Sequence, residues 1–281
     1  MKVVLFCGGL GTRLREYSET IPKPLVNIGE RPIIWHLMKY YAYFGHKDFI
    51  LCLGYRGNLI KEYFLKYDEC ASNDFVLSNG GRKVELLNHD ISDWRITFVD
   101  TGPKSNIGQR LKAVEKHLEG EEVFLANYSD GLSDYPINSH VDHFLGTNAV
   151  ASFIAVRPSQ SFHAVTADND SRVISIEDVT SSQIWINGGF FILRQNIFSY
   201  MEPGDELVEA PFQRLIKEGR LLGTKYRGFW ASMDTFKDKK QFDDWYEAGN
   251  RPWQVWQREN QRTFGLCPHA KIGPDVKDQT C

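Results

Sequence analysis

Three features that would assign a class at once are missing from this chain: paired cysteines, an excess of basic charge and a long apolar run. Its five cysteines show no CxxC spacing: Cys7, Cys52, Cys70, Cys267 and Cys281. The first two fall inside apolar strand-like runs, where a reduced core thiol is the better interpretation. Free thiols are typical of a reducing compartment, so we expect a cytoplasmic protein.

The charge balance and the hydropathy pattern argue against two kinds of partner. With 33 basic and 36 acidic residues the net charge is −3, which argues against general nucleic-acid binding and leaves open a local basic pocket. No apolar run approaches the length of about 18 residues that spans a membrane. The first residues have the pattern of a strand instead of a signal peptide. We therefore expect neither a nucleic-acid nor a membrane partner.

The chain has 281 residues, of which 42% are hydrophobic and 25% are charged, enough for a large core. Strand-like and helix-like segments alternate over its first half. The predicted strands are Lys2–Cys7, Asp48–Gly54, Trp94–Gly102 and Glu122–Gly131, and a helical pattern follows each of them. This alternation predicts an α/β fold with a Rossmann-like, mainly parallel sheet flanked by helices on both faces.

From about Ala149 the pattern changes to short strands with tight turns, followed by two helices. We expect these strands to form a small antiparallel addition on the substrate side of the sheet. The periodic pattern ends near residue 256. Residues 1–256 are therefore predicted to form one domain, and residues 257–281 a poorly ordered tail.

The segment LFCGGLGTRLREYSETIPKPL, residues 5–25, joins a strand to three close glycines and to a lysine between two prolines. No P-loop pattern occurs in the chain. A dinucleotide fingerprint needs a third glycine where Leu14 stands, which weakens the case for a Rossmann oxidoreductase. A tight strand-to-helix turn would explain the glycines, but not the arginine and the lysine as well.

We interpret this segment as a cradle for a triphosphate. Backbone N–H groups would face the anion at Gly8, Gly9 and Gly11. Thr12 adds a hydroxyl donor, and Arg13 adds a forked cation that suits phosphate oxygens. Lys23, stiffened by its two proline neighbours, would supply charge where negative charge develops during phosphoryl transfer.

Two distant carboxylates are candidates for a metal site. Asp130 follows an apolar strand-like run, at the edge of an open α/β sheet where ligands bind. Asp234 lies just before a predicted helix. Together they could bind one Mg²⁺, which takes a few carboxylates plus phosphate oxygens and water. From the residues alone, a turn role for Asp130 and a helix N-cap role for Asp234 stay open.

The combined motifs of the chain resemble those of the sugar-1-phosphate nucleotidylyltransferases, and most of all the glucose-1-phosphate cytidylyltransferases. The resemblance covers roughly residues 1–256 and is carried by FCGGLGTRL, PKPLVNIGERPIIWHLMKYY, YSDGLSD, INGGFFIL and GFWASMDTFKDK. It implies the nucleotide-diphospho-sugar transferase fold, a homo-oligomer and a role in nucleotide-sugar and polysaccharide biosynthesis. It also implies Mg²⁺-dependent transfer of CMP from CTP to a phosphorylated acceptor, with release of pyrophosphate.

The resemblance implies roles for individual residues as well. Asp130 and Asp234 would bind Mg²⁺, and the catalytic residues would be Arg13, Lys23 and Asp130. Besides the glycine segment, the nucleotide contacts would be Leu5, Gly108, Arg110 and Ser129. Arg110 could donate a hydrogen bond to cytosine O2, which would favour a pyrimidine.

The acceptor side departs from the family pattern. In the resembled enzymes a Glu-Lys-Pro segment precedes INGGFF, and its lysine binds the sugar phosphate. At those places this chain has Asp178, Val179 and Thr180. His163 stands where the family has a glycine, whereas Asn187 and Gly188 keep the family pattern. Among the expected acceptor-binding residues, Val179 and His163 therefore indicate a changed acceptor.

Three hypotheses remain open at this point. The first is an active cytidylyltransferase with a modified sugar phosphate or a non-sugar phosphate as acceptor. The missing positive charge could then come from His163, Arg172 or Lys225. The second is a nucleotide-binding protein with little catalysis, and the third is ordinary glucose 1-phosphate activity with a repositioned lysine.

Two further patterns have ordinary interpretations. His140 and His143 have a spacing that could bind a metal, but without a nearby third ligand a solvated helix face is the better interpretation. The late tryptophans are expected to lie in the core or in subunit contacts, and the cluster that they form could mark an oligomer interface.

Overall fold

The fold is taken from a computed structural model, which describes residues 1–9, 21–158, 162–180 and 183–257. Three residues of the predicted phosphate cradle, Gly11, Thr12 and Arg13, lie outside these ranges. So do residues 258–281 of the predicted tail.

The apolar strand-like runs form the centre of one large sheet. Its parallel members are β1 (Lys2–Phe6), β4 (Asp48–Leu53), β7 (Arg95–Asp100), β8 (Val123–Tyr128), β10 (Ala151–Val156) and β15 (Leu221–Lys225). The antiparallel members are β13 (Ile186–Asn187) and β14 (Phe191–Arg194). The strand order is β15-β10-β14-β8-β1-β4-β7, and β13 pairs with β10 on the same side as β14. The predicted mixed, mainly parallel sheet is confirmed.

Helices cover both faces of this sheet, because its central strands bury apolar side chains on both sides. The helices are α1 (Ile33–Tyr43), α2 (Gly57–Leu65), α3 (Ile107–Ala113), α4 (Ile137–Leu145), α5 (Ala210–Lys217) and α6 (Phe236–Glu247). One core layer contains residues of α1, α2, α4 and α6, and the other contains residues of α3 and α5.

Four two-stranded ladders lie outside the large sheet. They pair β2 (Asn27–Ile28) with β3 (Arg31–Pro32), β5 (Phe75–Ser78) with β6 (Lys83–Leu86), β9 (Gly131–Ser133) with β16 (Trp230–Ser232), and β11 (His163–Ala167) with β12 (Val173–Asp178). The β11–β12 hairpin is the predicted antiparallel addition. The β5–β6 hairpin was not predicted, because its side chains are almost all exposed and show no buried face.

The interpretation of His140 as part of a solvated helix face is wrong. Its side chain is only 3% exposed, and its Nε2 atom lies 2.6 Å from the Ser152 hydroxyl. The face of α4 that carries His140 packs on β10, so the histidine serves packing. Within the described parts of the chain, no group of three or more His, Cys, Asp or Glu side chains could hold a metal.

Burial gives His140 a pH-dependent effect on stability. Burial lowers the pKa of His140 from 6.5 to about 4. Between these pH values the histidine is protonated in the unfolded chain and neutral in the folded chain. We expect the free energy of unfolding to fall as pH drops from about 6.5 towards 4, by at most about 3 kcal/mol from this group. Urea titrations at several pH values measure the slope.

His140→Gln should flatten that slope, while His143→Gln, at an exposed position of the same helix, should leave it unchanged. Equal slopes in wild type and His140→Gln would contradict the assignment.

The late aromatic residues pack against one another and against α1. Trp253 is 1% exposed and packs against Phe229, Phe242 and Trp245, while Trp256 meets Trp35 of α1. This cluster belongs to the core, as one of the two alternatives expected, and the homo-oligomer stays a prediction.

Among the described residues, no helix is both long and apolar enough to cross a bilayer.

Candidate active site

The carboxyl ends of β1 and β8 lie side by side, because the two strands pair in parallel. The glycine segment therefore begins beside the SDG turn that carries Asp130. The Ser129 hydroxyl donates to the Phe6 carbonyl over 2.8 Å, which ties the two strand ends together. This is the sheet edge at which an open α/β fold binds ligands.

The β9–β16 ladder brings the two predicted metal ligands together. Asp130 immediately precedes β9 and Asp234 follows β16, and the ladder pairs Gly131 with Ser232. One further bond, from Met233 N to the Asp130 carbonyl over 2.8 Å, extends the pairing to the residues beside the two carboxylates. The backbone thus sets the positions of both carboxylates.

Lys23 lies between these carboxylates. Its Nζ atom is 2.6 Å from Asp130 Oδ2 and 2.8 Å from Asp234 Oδ1. The lysine begins a 3-10 turn, Lys23–Leu25, with proline on either side, so its backbone is stiff. Burial alone would lower the pKa of Lys23, but the two carboxylates outweigh burial and hold the pKa above its usual 10.5. The ammonium therefore stays charged.

Asp234 is oriented towards this site and does not cap the following helix. The N-cap of α6 is Thr235, which forms a capping box with Asp238. The Asp238 carboxylate also accepts from Asp234 N over 3.0 Å, and the Ser232 hydroxyl donates to Asp234 Oδ2 over 3.0 Å. The alternative helix-cap role of Asp234 is therefore wrong. The Thr-x-x-Asp spacing in the sequence could have identified the true cap.

The two carboxylates fit a divalent cation. Both direct an oxygen at one positive charge, the Lys23 ammonium, so they converge on a common point. A pair of carboxylates leaves most of an octahedral shell to phosphate oxygens and water, which is how Mg²⁺ is bound in phosphoryl-transfer sites.

Gly8 is required by close packing. A Cβ atom at this position would lie 2.0 Å from Arg110 Nη1, and one at Gly54 would lie 2.7 Å from the Gly8 carbonyl oxygen. The Arg110 guanidinium fills the space under the glycine turn and donates to the carbonyl oxygens of Gly8, Leu53 and Gly102 and to the Thr101 hydroxyl. In this structure Arg110 thus holds the turn from below, and its contact with the base stays a prediction.

The other predicted nucleotide contacts differ in accessibility. Gly9 is exposed, and a Cβ atom there would meet nothing among the described atoms. Leu5, the second-last residue of β1, is 0% exposed, so the structure does not bring its side chain to the site surface. Gly108 packs so closely on the Asp205 carbonyl that a Cβ atom would lie 2.2 Å from its oxygen, which explains the glycine by packing.

The predicted acceptor residues fall into two groups. His163 and Asp178 are direct partners at the base of the β11–β12 hairpin, and Val179 N donates to the Phe162 carbonyl just beyond them. Asp178 accepts from the backbone and side chain of Thr180, which lowers the pKa of the carboxyl. This first group lies on an exposed hairpin.

The second group has hydrogen bonds to residues near Asp130 and Asp234 in the chain. The Asn187 side-chain amide donates to the Tyr128 hydroxyl over 3.2 Å, two residues before Asp130 in the chain. The Gly188 carbonyl accepts from the Trp230 indole over 2.8 Å, at the start of β16. Sequence reasoning missed Tyr128 and Trp230, whose roles depend on the pairing of distant strands.

A comparison with known families assigns the class of protein that has this fold. The sequence profile described as "Nucleotidyl transferase" matches residues 2–235. The chain belongs to this family.

Two curated relatives are glucose-1-phosphate cytidylyltransferases. That of Salmonella typhi is 36% identical over 258 residues, spanning 92% of this chain and 100% of the relative. That of Salmonella typhimurium is 37% identical over 259 residues, with the same coverage. Among solved structures, UDP-glucose pyrophosphorylase complexed with UDP-glucose is 15% identical, covers 88% of this chain and 98% of its own, and has a TM-score of 0.65. The structural likeness shows the shared fold.

Proposed function

We propose that the protein transfers CMP from CTP to a phosphorylated sugar and releases pyrophosphate. The observation that supports this most directly is the convergence of Asp130, Asp234 and Lys23 at the edge where the glycine turn begins. The two Salmonella relatives named above act on glucose 1-phosphate and a cytidine nucleotide by name, over nearly all of this chain.

The chemistry requires no nucleophile from the protein. A phosphate oxygen of the acceptor attacks the α-phosphorus of CTP, the bond between the α- and β-phosphates breaks, and pyrophosphate leaves with the electron pair. The protein therefore contributes positioning and charge stabilisation. In the proposed roles, the backbone at Gly8 and Gly9 faces the triphosphate, while Lys23 stabilises charge at the α-phosphate. Arg13 would stabilise the departing pyrophosphate.

Asp130 and Asp234 would hold Mg²⁺ in this proposal. When bound, the ion neutralises charge on the α-phosphate and the incoming phosphate, which lowers their repulsion. The ladder between β9 and β16 keeps both carboxylates in place before any ligand arrives.

Pyrophosphate release tests the proposal. The protein is incubated with each of the four nucleoside triphosphates, with Mg²⁺ and a set of sugar 1-phosphates, and pyrophosphate is measured by a coupled assay. We expect release with CTP and at least one acceptor, and none when the acceptor is omitted. Absence of release with CTP and every acceptor would refute transferase activity in favour of a binding protein.

Val179→Lys tests whether the lost lysine changed the acceptor. The new ammonium should improve use of a simple sugar phosphate such as glucose 1-phosphate, by about tenfold in kcat/KM, the worth of one charge-assisted hydrogen bond. Ser175→Lys, at another half-buried position of the same hairpin, is the matched control and should change nothing. An unchanged acceptor profile in Val179→Lys would remove this position from the acceptor site.

A further inference from the structure

Three cations surround one tryptophan at the acceptor side of the sheet. The ring centre of Trp185 lies 4.3 Å from Arg157, 5.3 Å from Lys225 and 6.0 Å from Arg227. These four residues are called the Trp185 cluster below. A single cation over an indole is common, whereas three side by side repel one another unless an anion neutralises them.

The pairing of the strands explains why these side chains meet. Ala155 of β10 lies directly opposite Asn187 of β13 on one side and Lys225 of β15 on the other. Trp185, Arg157 and Arg227 are each two residues from one member of this row, just beyond the ends of the three strands. The register therefore brings them together at one end of these strands.

The cluster shares a sheet edge with the metal carboxylates. β8 and β10 both run antiparallel to β14, and β15 runs parallel to β10. The carboxyl ends of β8, β10 and β15 therefore point the same way, and Asp130, Arg157 and Arg227 follow these ends. Asn187 connects the two regions through its bond to the Tyr128 hydroxyl.

Two cations of the cluster, Lys225 and Arg227, have no carboxylate partner in the part of the chain that the structure describes. There, no carboxylate lies within 4.0 Å of the Lys225 ammonium or the Arg227 guanidinium. Both residues are exposed, whereas Trp185 and Arg157 are partly buried. Arg157 also donates to the Ile184 carbonyl over 3.0 Å, which holds the segment before Trp185 in place. The Trp185 ring is thus held in place, and the Lys225 and Arg227 side chains beside it are exposed to solvent.

We propose that the Trp185 cluster binds a second negative group of the acceptor, so that the substrate is a sugar 1-phosphate bearing a carboxylate or a further phosphate. This inference rests on the proposed function. It names the chemical class of the acceptor at the same site.

The Trp185 cluster is too far from Asp130 for one phosphate group to contact both. Three strand spacings, or roughly 14 Å, lie between β8 and β15. A phosphate held at Asp130 and Lys23 cannot also contact Lys225, because a charge-assisted hydrogen bond spans only about 2.8 Å. A sugar ring with a charged substituent at its far end bridges the interval. Of the three cations considered from sequence, Lys225 belongs to the Trp185 cluster, whereas His163 and Arg172 lie on the β11–β12 hairpin. Lys225 would thus bind the second negative group and would not replace the lost lysine at the reacting phosphate.

The experiment compares three acceptors with CTP and Mg²⁺: glucose 1-phosphate, glucuronic acid 1-phosphate and glucose 1,6-bisphosphate. We expect kcat/KM for at least one of the two charged acceptors to exceed that for glucose 1-phosphate by about tenfold or more. The carboxylate and phosphate arms distinguish the two sources of charge. In the double variant Lys225→Met/Arg227→Met the ratio should collapse to within about twofold of unity.

The matched control is Lys217→Met/Arg82→Met, which removes the same two residue types at exposed positions and should keep the wild-type ratio. A ratio near unity in wild type, or one that the cluster variant leaves unchanged, would overturn the inference while leaving CTP-dependent transfer intact. If no acceptor gives turnover, the proposed function fails. Calorimetric binding of the same three compounds then decides the inference, and equal affinities would overturn it.

Discussion

Asp130→Asn is expected to lower the Mg²⁺-dependent rate of pyrophosphate release by roughly a thousandfold, the effect of losing several kcal/mol of charge stabilisation. The amide keeps the size of the carboxylate but cannot neutralise a divalent cation. The fold should survive, because the bond from Met233 N goes to the backbone carbonyl of Asp130 and stays intact. Steady-state kinetics over a range of Mg²⁺ concentrations, together with the melting temperature, measure the two effects.

Asp142→Asn is the matched control for this variant, since Asp142 is exposed on α4 and outside the β9–β16 ladder. It should leave both the rate and the Mg²⁺ dependence unchanged. A near-normal rate in Asp130→Asn would remove Asp130 from the site.

Lys23→Met is expected to have two opposite effects. Pyrophosphate release should fall by roughly a hundredfold or more, since a positioned cation at the α-phosphate is lost. Binding of a divalent cation to the protein without nucleotide should strengthen, because the ammonium at 2.6 and 2.8 Å no longer competes for Asp130 and Asp234. Electron paramagnetic resonance of free Mn²⁺ measures the affinity directly.

If Lys23 only stabilised the fold, its removal would not lower the rate and strengthen cation binding at the same time. Its removal would weaken metal binding and activity together, as the fold loosened. Lys240→Met, at an exposed position of α6, is the control and should alter neither quantity. Unchanged Mn²⁺ affinity in Lys23→Met would show that the ammonium does not compete with metal.

The parts of the fold that sequence predicts well are those fixed by local pattern. The buried strands and their alternation with helices were predictable, because both faces of a parallel strand are apolar. Helix α1 begins only at Ile33, because Arg31 and Pro32 pair with β2 before the helix starts. The β5–β6 hairpin was not predicted, because the apolar residues of β5, Phe75–Leu77, are consecutive and exposed, without the alternation of a half-buried strand.

In the site as well, the sequence identified single residues but not the contacts between distant parts of the chain. Motifs identified Lys23, Asp130 and Asp234 as candidates, but only the β9–β16 register shows that they meet. Arg110 was predicted to reach the base, whereas its bonds to carbonyl oxygens beneath Gly8 need the tertiary structure to be seen. The Trp185 cluster was hidden for the same reason, because its members come from three separate strands.

The β9–β16 ladder also joins two distant parts of the chain. The main sheet takes β1, β4, β7 and β8 from the first half of the chain, whereas Asp234 follows β16, which comes after every strand of that sheet. A chain truncated before residue 230 would therefore keep Asp130 and lack the second carboxylate that contacts Lys23. Under the proposed function, such a truncated chain would retain most of the sheet and lose activity.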